Sequence, residues 1–147
     1  RAWDRHFGRQ AVALLAFFSG LAFIGQPATG GATAGLVSRG ITLAANLLGL
    51  LTLLQLGRSF GILIALREVR TTGLYRWVRH PMYATDILLR LGFLVGHCTA
   101  WTVALFVVSS ACYVWRALLE ERFLLQQDPA YQTYHAKVRW RFLPGVF

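Results

Sequence analysis

Four stretches dominated by hydrocarbon side chains, about 10–25, 36–56, 82–96 and 99–119, leave this chain few ways to fold. Hydrophobic residues make up 56 % of its 147 positions and charged residues only 14 %. That is far from the makeup of a soluble domain. Crossing a hydrocarbon core about 30 Å thick takes roughly 20 apolar residues in a helix. The first stretch is short for this and has to borrow flanking residues or sit in thinned bilayer. Because lipid offers no partners to backbone N–H and C=O groups, the class predicted is all-α, a polytopic membrane helical bundle. About four transmembrane helices are expected, in a single domain covering 1–147.

The polar residues between these stretches set the orientation. Net charge is +9. Placing the amino end, the 57–79 segment and everything after Trp115 on the cytoplasmic side puts 13 of the 15 Lys and Arg there, all but Arg39 and Arg90. This obeys the positive-inside rule. The arginines lie between apolar spans, not on one face, so they read as topology signals and contacts to anionic membrane lipids, with no nucleic-acid partner. Residues 1–56 thus form two spans after a basic, aromatic lead-in, 57–81 a cytoplasmic loop, 82–119 a helical hairpin and 120–147 a cytoplasmic lid. The lid should begin as the end of the fourth helix and break at Asp128-Pro129. Cys98 and Cys112 sit in apolar surroundings and read as buried thiols. No small-residue cleavage site follows the first apolar stretch, so no secretory leader is expected.

Chemistry-bearing residues crowd into Gly73 to Tyr83, which holds Arg76, Arg79, His80 and two tyrosines. Pro81 lacks an N–H and drives His80 out of the helical region, so Pro81 should open the third helix. The N–H groups there suit a carboxylate or phosphate. Asp86 and Arg90, four apart, share a helix face and read equally well as an internal ion pair or as substrate contacts. Arg116 with Glu120-Glu121 repeats the spacing at the cytoplasmic end of the fourth span. That trio could hold one anionic and one cationic ligand group, or be a solvated ion pair. Tyr131 and Tyr134 read equally as an interfacial aromatic belt. Metal ligation and haem have no usable histidine spacing, and phosphate-loop or dinucleotide glycine motifs are missing.

One ordered set of residues resembles a known group. Thr72-Gly73-Leu74-Tyr75, Arg79-His80-Pro81-Met82-Tyr83, a hydrophobic hairpin, Arg116 with Glu120-Glu121 and Leu124-Leu125, then Tyr131, Tyr134, Val138, Arg141 and Pro144 are similar to the isoprenylcysteine carboxyl methyltransferase and phospholipid methyltransferase superfamily. The resemblance covers about Gly57 to Pro144; the first two spans match only in character. It implies a methyltransferase whose cytoplasmic loop and C-terminal lid enclose S-adenosyl-L-methionine, with S-adenosyl-L-homocysteine as product, and whose acceptor is a lipophilic or prenylated small molecule or lipid entering from the bilayer. It places cofactor binding on Arg67, Glu68, Val69, Arg70, Tyr75, His80, Pro81, Met82, Tyr83 and Glu120. Arg116 falls on the arginine that engages substrate, and the family's polar cofactor contact ahead of the loop falls on Phe60.

On these roles Arg116 and Glu121 are the candidate catalytic residues, with Arg116, Asp86 and Arg90 candidate substrate contacts. A carboxylate acceptor needs only orienting, whereas an amine must lose a proton to a base such as Glu121 or His135. A phospholipid amine or thiol methyltransferase is the first alternative. An NADPH-dependent sterol-type reductase, with Arg67, Arg70 and Tyr75 serving the cofactor, is the next, followed by a non-catalytic membrane scaffold.

Overall fold

The computed structural model of the chain describes residues 7–57 and 69–146, and all regular structure among them is helical apart from one isolated parallel bridge between Val78 and Trp140. Helix α1, Phe7–Phe18, runs into a 3-10 turn, Ser19–Phe23. After a Gly- and Pro-containing loop come α2, Ala32–Leu56, and a second 3-10 turn, Gly73–Arg76. Then follow α3, Pro81–Gly96, α4, Ala100–Gln127, and α5, Pro129–Lys137. Two of these, α2 and α4, are long and apolar enough to cross a membrane. At 16 residues, α3 rises about 24 Å, and α1 is shorter still. The amino-terminal lead-in expected at the membrane interface lies outside the described residues up to Arg5-His6.

Local chemistry fixes the helix ends. Pro81 occupies the first turn of α3, where its missing N–H removes no bond. Thr99 and Thr102 form a reciprocal capping box at the start of α4. Asp128 caps α5 by accepting from Ala130 N at 2.9 Å, with Pro129 following it. Both expected proline boundaries are therefore where the chain turns.

Helix α3 lies between α2 and α4, and α1 packs on α4. The approach of α2 to α3 is close because both faces are small. A Cβ built on Gly92 would stand 2.6 Å from Thr42 Oγ1 and 3.1 Å from Thr42 N, and one on Gly96 would stand 2.7 Å from Ser38 Oγ. Ser38 Oγ uses the proximity to donate to Gly92 O at 2.7 Å. This is the small-xxx-small geometry by which apolar helices gain packing in lipid, where burial from water supplies nothing. It leaves Leu36, Leu43, Leu47, Leu50 and Leu54 of α2 facing outward.

The α1–α2 loop joins the far end of α3 through Thr29 N and Gly30 N, which donate to Gly96 O. The Gly73–Arg76 turn, the start of α3 and the end of α4 gather at the opposite, polar end. Cys98 and Cys112 are free thiols, and Cys98 is exposed at the α3–α4 turn instead of buried, because the turn itself leaves the apolar bundle. Replacing Gly92 by Ala is expected to destabilise the fold by about 1–3 kcal/mol, since backbone as well as side chain stands in the way. Gly40→Ala, with nothing within 4 Å, should be neutral. Thermal unfolding of the two variants in detergent checks this, and equal melting temperatures would contradict the tight α2–α3 contact.

Candidate functional site

A short segment, Gly73 to His80, has to be held in an open conformation at the polar end, and three elements hold it. Gly73 sits at φ +62, and a Cβ there would run into the Gln55 amide. A side chain is therefore excluded both by backbone conformation and by space. Gln55 Oε1 in turn accepts from Leu74 N at 2.9 Å, which pins the turn to the end of α2. From α5, Tyr134 Oη donates to Tyr75 O at 2.6 Å. Burial pushes the Tyr134 phenol well above its ordinary value, so it stays a donor. The tail after α5 then runs beside the segment, with Arg79 N donating to Trp140 O and His80 N to Arg141 O, both at 2.9 Å.

Glu121 is the centre of this arrangement. Its side chain is 4 % exposed, and Oε1 accepts from Arg79 Nε at 2.8 Å and contacts His80 Nε2 at 3.0 Å. Arg141 spans both oxygens, Nη2 reaching Oε2 at 2.9 Å. His135 Nε2 lies 3.8 Å from Oε2. Arg79 carries the grip further by donating through Nη1 to Val138 O and Arg139 O. The apolar part of α4 ends at Leu119, one residue before the acidic pair. Burial by itself would raise the Glu121 carboxyl, but hydrogen bonds from His80, Arg141 and Arg79 overcome that and hold it far below the carboxylate range. His135 is shifted down by partial burial and by the Arg79 charge, which favours its neutral form.

Next to this hub lies a second polar group. Tyr83 stacks on His80 with ring centroids 5.1 Å apart and donates to Glu120 Oε2 at 2.5 Å. The Arg116 guanidinium, buried at 4 % exposure, lies 4.9 Å over the Tyr83 ring. Glu120 itself is half-buried, and its other oxygen keeps the capacity to accept from a ligand. The N-cap residue His80 makes no side-chain cap to the first turn of α3, whose N–H groups are donors a ligand can use.

The predicted site residues thus separate into groups. Tyr75, His80, Pro81, Tyr83, Arg116, Glu120 and Glu121 converge, and Val69 packs beside Tyr131, Tyr134, Val138, Leu124 and Leu125. Met82 faces the other way, its sulfur 3.3 Å from Thr52 Oγ1 on α2. Arg70 is half-buried at the edge of the group. Arg67 and Glu68, and with them Arg58, Ser59 and Phe60, lie outside the described residues.

Asp86 and Arg90 continue from Tyr83 down the α3–α4 seam, away from the polar end. Arg90 reaches the Asp86 backbone oxygen rather than its carboxylate, together with Ala16 O, Ser19 Oγ and Tyr113 Oη. The Asp86 carboxylate bonds the Tyr113 side chain instead. Of the two readings offered by the spacing, the internal one takes the form of a bridge from Arg90 to Ala16, Ser19 and Tyr113.

Arg79, Gln55, Tyr113 and Tyr134 carry this geometry without having been assigned roles from sequence. Arg79 had the clearest signal, as a cation immediately before His80-Pro81. Tyr131 and Tyr134, read as a possible interfacial belt, are each only 5 % exposed and belong to the core of the polar end.

The model of a family described as "Isoprenylcysteine carboxyl methyltransferase (ICMT) family" matches residues 38–126. The chain is also similar to the "Uncharacterized protein C594.04c" of Schizosaccharomyces pombe, 31 % identical over 100 residues, which cover 64 % of this chain and 26 % of that protein. It therefore spans about a quarter of the length of that curated relative.

Removing the Glu121 carboxylate strands Arg79 and Arg141, and the expected cost is about 3 kcal/mol or more. Since the folded carboxyl is held below its ordinary value of 4.5, its contribution is complete above that pH and is lost as pH falls toward the depressed value. Melting temperatures measured from about pH 5 down to about pH 3 should fall more steeply for the wild type than for Glu121→Gln. Parallel pH profiles would contradict the hub.

Proposed function

Because the chain belongs to the isoprenylcysteine carboxyl methyltransferase family, we propose that it is an S-adenosyl-L-methionine-dependent methyltransferase acting on a lipophilic carboxylate at a membrane surface. The observation that carries this reading is the convergence of Glu120, Tyr83, Arg116 and the uncapped start of α3 at one end of an apolar bundle. In this reading all four longer helices cross the bilayer, the polar end faces the cytoplasm, and α5 with the tail forms the lid. Exposed Trp101 and Trp115 on α4 are placed as interfacial anchors of such a span.

The residues present fit the cofactor. Its carboxylate suits the first-turn N–H groups of α3, its ammonium or ribose hydroxyls suit the Glu120 carboxylate, and its adenine suits the aliphatic surfaces of Val69, Leu124 and Leu125. When bound, it supplies an electrophilic methyl group on a sulfonium. The chain's own contribution is to align and to exclude water. Arg116, buried above Tyr83, orients the acceptor carboxylate, which is already a nucleophile near neutral pH. Tyr83 fixes Glu120, and His80 stacked on Tyr83 fixes both. Glu121 holds the lid and loop together as a positioning residue, its oxygens already engaged by Arg79, His80 and Arg141. Asp86 and Arg90 extend the polar seam toward the apolar interior, where the acceptor's head would approach.

Engagement of Glu121 by Arg79, His80 and Arg141 also favours a carboxylate acceptor over a phospholipid amine, since that carboxylate is not available as the base an amine needs. His135, kept neutral, is the base that an amine acceptor would need.

Calorimetric titration of the detergent-purified chain with S-adenosyl-L-homocysteine, with NADPH in parallel, tests the reading. Micromolar affinity for the former is expected, weakened about tenfold or more in Glu120→Ala. Arg116→Ala should keep cofactor affinity within about threefold while turnover collapses. NADPH binding alone would reassign the protein to the reductases, and equal loss of cofactor binding in both variants would overturn the division of roles.

A further inference from the structure

A buried tyrosine hydroxyl is left over once the lid's contacts are counted. Tyr131 is 5 % exposed, yet among the described residues its Oη has no hydrogen-bond partner. Tyr134, one turn further along α5 and equally buried, gives its hydroxyl to Tyr75 O. The contrast matters because α5 could have carried phenylalanine at 131 at no cost in packing. A desolvated, unpaired hydroxyl costs about 1–3 kcal/mol in a folded protein, and a group of that kind calls for a partner that arrives later.

The surroundings limit what that partner can be. The Tyr131 ring is tilted against Tyr134 and His135, with centroids 5.8 and 6.2 Å away, and packs with Val69, Leu124 and Leu125. The charges that bear on its hydroxyl are those of Glu121, Glu120 and Arg79. Two carboxylates against one guanidinium disfavour an anionic acceptor. Aliphatic and aromatic walls suit a flat heterocycle. Burial keeps the phenol protonated and hence a donor.

From this geometry we infer that Tyr131 is a cofactor-contacting residue of the lid, donating a hydrogen bond to a neutral acceptor, a ribose oxygen or a ring nitrogen, of the nucleoside half. The inference rests on the cofactor reading above and adds to it a specific contact from α5, where the resemblance implied an enclosing lid but assigned no individual residue to the cofactor.

The test uses the complete chain in detergent as wild type and Tyr131→Phe. The unliganded melting temperature is measured first, then affinities for S-adenosyl-L-homocysteine and for 5′-methylthioadenosine, which keeps the nucleoside and lacks the amino-acid end. The unliganded variant is expected to melt at or above the wild-type temperature, because a buried unpaired group has been removed. Both ligands should bind about fivefold more weakly to it, as for the loss of one hydrogen bond. A lower unliganded melting temperature would overturn the inference, since it would mean that the hydroxyl is already paired within the protein. So would unchanged homocysteine-ligand affinity, or a loss confined to S-adenosyl-L-homocysteine, which would move the contact to the amino-acid half. Those outcomes leave the cofactor reading standing, whereas failure of the wild type to bind either ligand would sink both.

Discussion

A carboxylate buried among two guanidiniums and an imidazole is what makes the polar end of this molecule one structure. Glu121 stands at the end of α4, Arg79 and His80 just before α3, and Arg141 in the tail after α5. Among the described residues, no disulfide or strand pairing joins these three parts of the chain apart from the isolated Val78–Trp140 bridge. The ionic hub and the backbone bonds from Arg79 therefore carry the register. Burying such a group is costly unless every lone pair is used, and here both oxygens are used more than once. Tyr83 inherits its position from this hub through the His80 ring, and Glu120 and Arg116 inherit theirs through Tyr83. The candidate chemistry thus sits one contact away from the structural lock instead of within it.

The apolar bundle below serves a different purpose, which is to give the hub a fixed base. Gly92 and Gly96 let α3 approach the Ser38 and Thr42 face of α2, and that contact sets the height of Pro81 against Gln55 and Gly73. Arg90 ties α3 to α1 and to Tyr113 of α4 from a depth where an unpaired cation would be unfavourable. Tyr113 also lies against Tyr83, with centroids 5.5 Å apart, so the buried arginine is linked through two aromatic rings to the polar end. A short α3 and a long α4 follow naturally: α3 stops at the polar end, whereas α4 continues past it to deliver Glu120 and Glu121.

Much of this was legible in the sequence because it depends on local rules. Proline after histidine and proline after aspartate mark helix starts whatever surrounds them, and Pro81 and Pro129 both do so. The grouping of Arg116 and the Glu120-Glu121 pair with the His80-Pro81 helix start follows from the hairpin if the spans form one bundle, whereas the place of Tyr83 in it came from the family resemblance. What could not be read was how polar groups partner across distance. Asp86 and Arg90 have ion-pair spacing, but Arg90 also bonds Ala16 O, Ser19 Oγ and Tyr113 Oη, partners that spacing within α3 does not show. Glu121 looks like a free acid beside Glu120, and only the return of the tail shows that Arg141 and Arg79 enclose it. Tyr131 and Tyr134 resemble an interfacial belt in sequence, because aromatic composition says nothing about which side of α5 faces inward.

The loop before α3, the end of α4 and the C-terminal segment meet at Glu121, and they should respond to a ligand as one unit. Hydrogen–deuterium exchange of the full chain, followed with and without S-adenosyl-L-homocysteine, tests it most directly. Backbone amides of 74–84 and of 131–141 should gain protection together on ligand addition, while the 24–31 loop at the far end stays unchanged. Protection confined to one of the two segments, or appearing at the far end instead, would contradict it.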